Sequence, residues 1–90
     1  MQFEWDPEKA AQNILDHAVS FEEAMTAFGD PLSLTVFDHD HSDYEDRYVL
    51  LGATERSRLV VVVHTQRGDN LRIISARLAT RQERRAYANL

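Results

Sequence analysis

The sequence predicts an α+β fold, a mainly antiparallel sheet with two N-terminal helices and one C-terminal helix, and three observations carry that expectation. Apolar residues recur at helical spacing through the first third of the chain. Three β-rich runs separated by short polar turns fill much of the second half, the pattern of an antiparallel meander. Thr80 with Glu83 three residues on, a capping-box signature, opens a last helix that is expected to run to the C-terminus.

Taken in order, Phe3 and Trp5 lie on one side of an extended Gln2-to-Trp5 segment, which reads as a first strand. Asp6 then caps a helix, with Pro7 in its first turn and Glu8 behind it. Ala11, Ile14, Leu15 and Ala18 form its expected buried stripe. Ser20 and Glu23 give a capping box for a second helix whose inner face is Phe21, Ala24, Met25 and Phe28; Gly29, Asp30 and Pro31 end it. From Leu32 the period changes to alternation, Leu32, Leu34 and Val36 against Ser33, Thr35 and Phe37, which predicts a strand. The acidic segment DHDHSDYED (residues 38–46) is a polar loop. Strands are expected over 47–53, 59–65 and 71–77, joined by TERSR and QRGDN. Val60 to Val63 is apolar on both faces, so that strand should be central.

Ninety residues suit one domain, here residues 1–90, with a modest core. A hydrophobic fraction of 43% is too high for a disordered chain. No cysteine is present, which suits a reducing compartment. Neither a secretion signal nor an apolar run long enough for a membrane is apparent, the longest run being Leu59 to Val63, so a cytoplasmic location without a membrane partner is expected.

The net charge of -5 hides a division within the chain. Residues 1–46 hold twelve Asp or Glu and one Lys, and residues 47–90 hold three acids and nine Arg. Arginine's planar fork matches phosphate oxygens and never titrates away. The plainer alternative is that the halves neutralise each other through surface ion pairs. The last helix argues for more. Arg81, Arg84 and Arg85 sit near the positive end of its dipole, at about 0.3 to 1 kcal/mol each, and Arg81 opposes Arg85 as a like charge one turn on. A polyanion or an acidic partner surface would account for the placement, while Ala86, Tyr87 and Leu90 pack elsewhere.

Arg72 and Arg77 differ by an odd number, so a regular strand puts them on opposite faces. Arg77, at the sheet rim, is the better phosphate candidate; Arg72 is expected to be satisfied by an acid such as Glu23 or Asp30. His64 at a strand end and His17 at a helix end are the candidate proton carriers, imidazole being the side-chain type suited to proton transfer. His39 and His41 alternate with Asp38, Asp40 and Asp43, but the loop-borne spacing matches no ligand framework, so no metal site and no cofactor is expected.

FEWDPEKA at residues 3–10, HAVSFEEA at 17–24, HSDYEDR at 41–47 and RIISARLATRQERRAY at 72–87 resemble the BrnT family of type II toxin-antitoxin toxins, in the right order over nearly the whole chain. The resemblance implies a RelE-like fold and an RNA-cleaving activity. It also implies neutralisation by a BrnA-like antitoxin whose ribbon-helix-helix domain provides the pair's contact with DNA. RNA carries its own nucleophile, the ribose 2′-hydroxyl, so a metal-independent endoribonuclease must orient the phosphodiester, move protons and stabilise charge. Arg77, Arg81 and Arg84 are then the candidates for transition-state charge, His17 or His64 for proton transfer, and Arg47, Arg85 and Tyr87 for holding RNA. The family usually has a basic residue before the histidine and a glycine after it, where this chain has Asp16 and Ala18. Asp16 would reverse the sign of an RNA contact, and Ala18 would cost about 1 kcal/mol in a left-handed turn. The alternative is therefore a catalytically degenerate homologue that acts only as an antitoxin-binding regulatory module.

Overall fold

The computed structural model describes residues 2–89, in which the predicted order of elements is found. The elements are β1 (Phe3–Glu4), α1 (Pro7–His17), α2 (Phe21–Thr26), β2 (Leu34–Phe37), β3 (Arg47–Ala53), β4 (Leu59–Arg67), β5 (Asn70–Leu78) and α3 (Arg81–Ala88). Single 3-10 turns occupy Ala27–Gly29 and His39–His41. The five strands form one sheet in the order β1-β5-β4-β3-β2, antiparallel except for the short parallel pairing of β1 with β5. The all-valine stretch lies at the centre as expected, with Val60 and Val62 fully buried and Val61 nearly so.

Asp6 caps α1 by accepting from the Glu8 amide, and Thr80 with Glu83 completes a reciprocal capping box on α3. Ser20 caps α2 through the Glu23 amide. The expected return bond from the Glu23 side chain does not form, because that carboxylate turns inward to Arg58 and Thr54. Val19, Phe21, Ala24 and Ala27 pack on Leu50, Val60, Val62, Leu71, Ile73 and Ala76 to make the core, with Phe3 and Trp5 edging onto Phe28 and Phe21.

The expected inner stripe of α1 is overturned. Ala11, Ile14, Leu15 and Ala18 all face outward, Leu15 at 80% exposure, and the one buried residue of this helix is Asn13. The reason lies in β5. Its neighbour β1 pairs only with Leu71 and Arg72, so the main chain beyond would be an open edge inside the protein. Asn13 closes it: Nδ2 donates to the Ala76 carbonyl at 2.8 Å and to the Val19 carbonyl at 2.9 Å, while Oδ1 accepts from the Ala76 amide at 3.2 Å. A buried backbone group without a partner costs about 1 to 3 kcal/mol, so satisfying two of them outweighs burying a short apolar stripe.

A second correction concerns β5. Val63 pairs with Ser75 but His64 pairs with Ile73, so Ile74 is an extra residue in a β-bulge. The bulge inverts the alternation, and Leu71, Ile73 and Ala76 all enter the core. Arg72 and Arg77 therefore emerge on the same face, the one away from α1 and α2. Arg72 is satisfied by Glu4 at 2.9 Å, not by Glu23 or Asp30. Leu32 precedes β2 instead of joining it and is 60% exposed. Ala86, expected to pack, is exposed, and Leu90 lies outside the described residues.

Candidate functional site

One end of the sheet gathers the residues that matter most. There Ala53 meets Leu59 across β3 and β4, Val60 meets Leu78 across β4 and β5, and the Ala79 amide donates to the Leu59 carbonyl to lead the chain into α3. From that point α3 passes towards β3, where the Tyr87 hydroxyl donates to Asp30 Oδ2 at 2.6 Å. The Ala53 amide donates to the same Asp30 oxygen at 2.8 Å, and these bonds hold the Asp30 carboxyl below its ordinary range and raise the Tyr87 hydroxyl above its own.

Arg77 and Glu83 form a two-point ion pair, at 2.8 and 2.9 Å, and Glu83 Oε1 also accepts from the Thr80 amide at 2.8 Å. Arg77, then the Thr80 amide, hold the Glu83 carboxyl down at about 2. Arg77 is thus partly committed to fastening α3, a partner hidden from the sequence because Glu83 reads there only as a cap. Arg81, Arg84 and Arg85, by contrast, are exposed and have no carboxylate partner among the described residues. At i, i+3 and i+4 they lie on one side of α3, while Glu83 and Tyr87 mark the half-buried side. His17, exposed at the end of α1, belongs to the same end of the molecule: the Ala18 carbonyl accepts from Arg58 at 3.0 Å, and Arg58 directly precedes β4.

Arg58 was hidden within what reads as a turn. Its guanidinium grips Glu23, which is only 5% exposed, through Nε at 2.8 Å and through Nη2, and Thr54 donates to the same carboxylate at 2.8 Å. The Arg58 bonds, opposed by burial and helped by Thr54, keep Glu23 ionised below the ordinary carboxylate range. This is a structural cluster that ties α2 to the β3–β4 turn.

The remaining candidates lie elsewhere. Arg47 is at the opposite end of the sheet, in one row with Thr65 and Arg72, and pairs with Glu45 at 3.3 Å. His64 is not at an open strand end. β4 continues to Arg67, and the imidazole is buried at 7% exposure on the core face, edge-on to Phe28 and stacked on Tyr48. Burial pushes it below its usual 6.5, so it stays neutral. In the loop, His41 bonds to Asp38 at 3.0 Å, and among the described residues no group of three or more His, Asp or Glu is placed to hold a metal ion.

The comparisons with known proteins agree with this architecture. A model of the family described as "Ribonuclease toxin, BrnT, of type II toxin-antitoxin system" matches residues 5–83. The crystal structure of the Brucella abortus ribonuclease toxin BrnT is 22% identical and superposes with a TM-score of 0.62 over 90% of this chain and 99% of that one, which shows a shared fold. Among curated proteins none matches. With the family pattern running from Trp5 to Glu83, through both N-terminal helices, all of β2 to β5 and the start of α3, the chain belongs to the BrnT family of ribonuclease toxins of type II toxin-antitoxin systems.

Proposed function

We propose that this chain cleaves RNA without a metal ion at the end of the sheet where α3 begins. The observation that carries the reading is the unpaired arginine stripe of Arg81, Arg84 and Arg85, a placement that weakens the helix and that nothing within the described residues neutralises. Phosphate oxygens would neutralise it through charge-assisted bonds. Arg77 acts in this reading by setting the start of α3 through its ion pair with Glu83, and reaches phosphate itself only where RNA competes with that carboxylate. His17 is the proton carrier in this reading, since His64 is buried away from solvent. Tyr87 and Arg47, already engaged with Asp30 and Glu45, hold structure in place and have lesser roles towards RNA.

The chemistry asks little else of the protein. When the ribose 2′-oxygen attacks the adjacent phosphorus, the 2′-hydroxyl loses its proton and the 5′-oxygen of the next nucleotide leaves with one. The products are a 2′,3′-cyclic phosphate and a 5′-hydroxyl. Guanidinium groups stabilise the charge that grows on the phosphoryl oxygens during this exchange. The family implies an antitoxin partner; a BrnA-like ribbon-helix-helix protein would supply inhibition and all contact with DNA, the pair acting in the cytoplasm.

The test is purified protein incubated with RNA in excess chelator. Cleavage with cyclic-phosphate and 5′-hydroxyl ends is expected, and replacing Arg81, Arg84 and Arg85 together with alanine should abolish it while leaving the melting temperature unchanged or slightly raised. Cleavage that stops in chelator, or that leaves 5′-phosphates, overturns the mechanism. A folded wild-type chain that cuts no RNA but still binds an antitoxin would instead identify a regulatory module.

A further inference from the structure

One of the two outer strands of the sheet, β2, leaves a main-chain edge free for pairing. Its edge position follows from the strand order, since β2 pairs with β3 alone. The Asp38 amide donates to the Arg47 carbonyl at 2.8 Å, which fixes the phase of that ladder: Val36 and Leu34 turn their main-chain groups towards β3, and Thr35 and Phe37 turn theirs outward. Edge strands are ordinarily blunted by brevity, or by a lysine, a proline or a charge within them. Leu34–Phe37 is short, at 4 residues, but holds no lysine, proline or charge, and its surroundings are apolar, with Val36 62% and Leu32 60% exposed.

Directly beyond Phe37 the surface changes character. The hairpin loop folds around a cleft of about 200 Å³ lined by Asp40, His41, Asp43, Tyr44, Glu45 and Arg47. Glu45 is occupied by Arg47, but the Asp40 and Asp43 carboxylates accept no hydrogen bond within the described residues, and the Tyr44 ring stands wholly in solvent. Because Asp38 is bonded back to Arg47, the cleft sits at the tip of the β2–β3 hairpin, so a strand laid along β2 needs only a few more residues, at about 3.3 Å each, to reach it.

We propose that the free edge of β2 and the acidic cleft form one docking site for an extended, basic segment of a partner protein. The segment adds a strand at Thr35 and Phe37 and places an arginine or lysine head between Asp40 and Asp43, against the face of Tyr44. Charge selects this occupant. A second copy of the chain paired antiparallel through β2 would carry the two acidic loops at opposite ends of the seam and leave each cleft without a cation, and RNA would be repelled by Asp38, Asp40, Asp43, Glu45 and Asp46. The site lies at the end of the sheet opposite α3 and stands whether or not the chain cleaves RNA.

The experiment uses the isotopically labelled full chain and a synthetic peptide of alternating threonine and valine ending in two arginines. Binding should slow amide exchange at Thr35 and Phe37, leave Leu34 and Val36 as they were, and shift the Tyr44 resonances. Thr35→Pro removes an outward N–H without breaking the β3 ladder and should weaken binding about tenfold. Asp40→Asn with Asp43→Asn, far from the ladder, should weaken it by a similar factor of about ten. A peptide with glutamates in place of its arginines should not bind. No protection at millimolar peptide overturns the proposal, as does binding indifferent to the aspartate substitutions. Protection of the same amides by RNA, or by raising the protein concentration without peptide, overturns it in favour of those occupants.

Discussion

Ala18 shows how a single side chain records a compromise. It ends α1 in the left-handed region at φ 57°, where its amide still closes the helix onto Ile14. A Cβ there is unfavourable, and glycine relieves it, so Ala18→Gly is expected to raise unfolding stability by roughly 1 kcal/mol in a denaturant titration. His64 offers a sharper test of function at the same scale. Its protonated form is disfavoured by burial, so the folded protein binds a proton less readily than the unfolded chain, and stability falls as pH drops below the unfolded value of 6.5. Replacing it with phenylalanine, beside Phe28 and Tyr48, should remove that acid-side loss and leave RNA cleavage intact. Loss of cleavage in a variant of unchanged melting temperature would restore His64 to the catalytic machinery.

Among the elements, α1 and α3 are held in place by polar groups more than by apolar ones. Asn13 is the inward anchor of α1, and Asn13→Ala strips partners from the Ala76 amide and carbonyl at once. The expected loss is about 2 kcal/mol or more, measurable by thermal or urea unfolding. Asn13→Asp keeps the acceptor for the Ala76 amide but sets a carboxylate against the Ala76 carbonyl, so it should not rescue. Helix α3 has no buried residue and is fastened by Glu83 to Arg77 and by Tyr87 to Asp30. Since Glu83 titrates near 2 in the folded protein against an ordinary 4.5, its contribution is complete above 4.5 and is lost as pH falls towards 2. Amide exchange in α3 should therefore quicken across that window while the sheet stays protected, and Glu83→Gln should show the faster exchange already at neutral pH.

For the molecule as a whole, the charge division seen along the chain becomes partly a division in space. Several second-half arginines are consumed by acids, Arg58 by Glu23, Arg72 by Glu4 and Arg47 by Glu45, as the neutralisation alternative expected. Among the described residues, Arg81, Arg84 and Arg85 keep no carboxylate at one end of the sheet, where Glu55 of the β3–β4 turn is also unpaired, and Arg67, Asp40 and Asp43 stand unpaired at the other. Binding of RNA should accordingly fall steeply with added salt, because it depends on counterion release from phosphates, and alanine at Arg81, Arg84 and Arg85 should flatten that slope. A salt-independent affinity would argue against the stripe as the contact surface.

The α+β class, the order of the elements, the caps at Asp6 and Thr80 and the central valine strand were all legible because each depends on local spacing and side-chain chemistry within a few residues. Other features depended on what lay across space. The outward stripe of α1, the bulge that carries Arg72 and Arg77 to one face, the burial of His64 and the capture of Arg77 by Glu83 follow from which backbone groups lacked partners and which elements met. A hydrogen bond such as Asn13 to Ala76 spans 63 residues of chain, and nothing in the local pattern at either end requires it. Local preference named the pieces of the site; long-range satisfaction of buried polar groups chose which of them stand free.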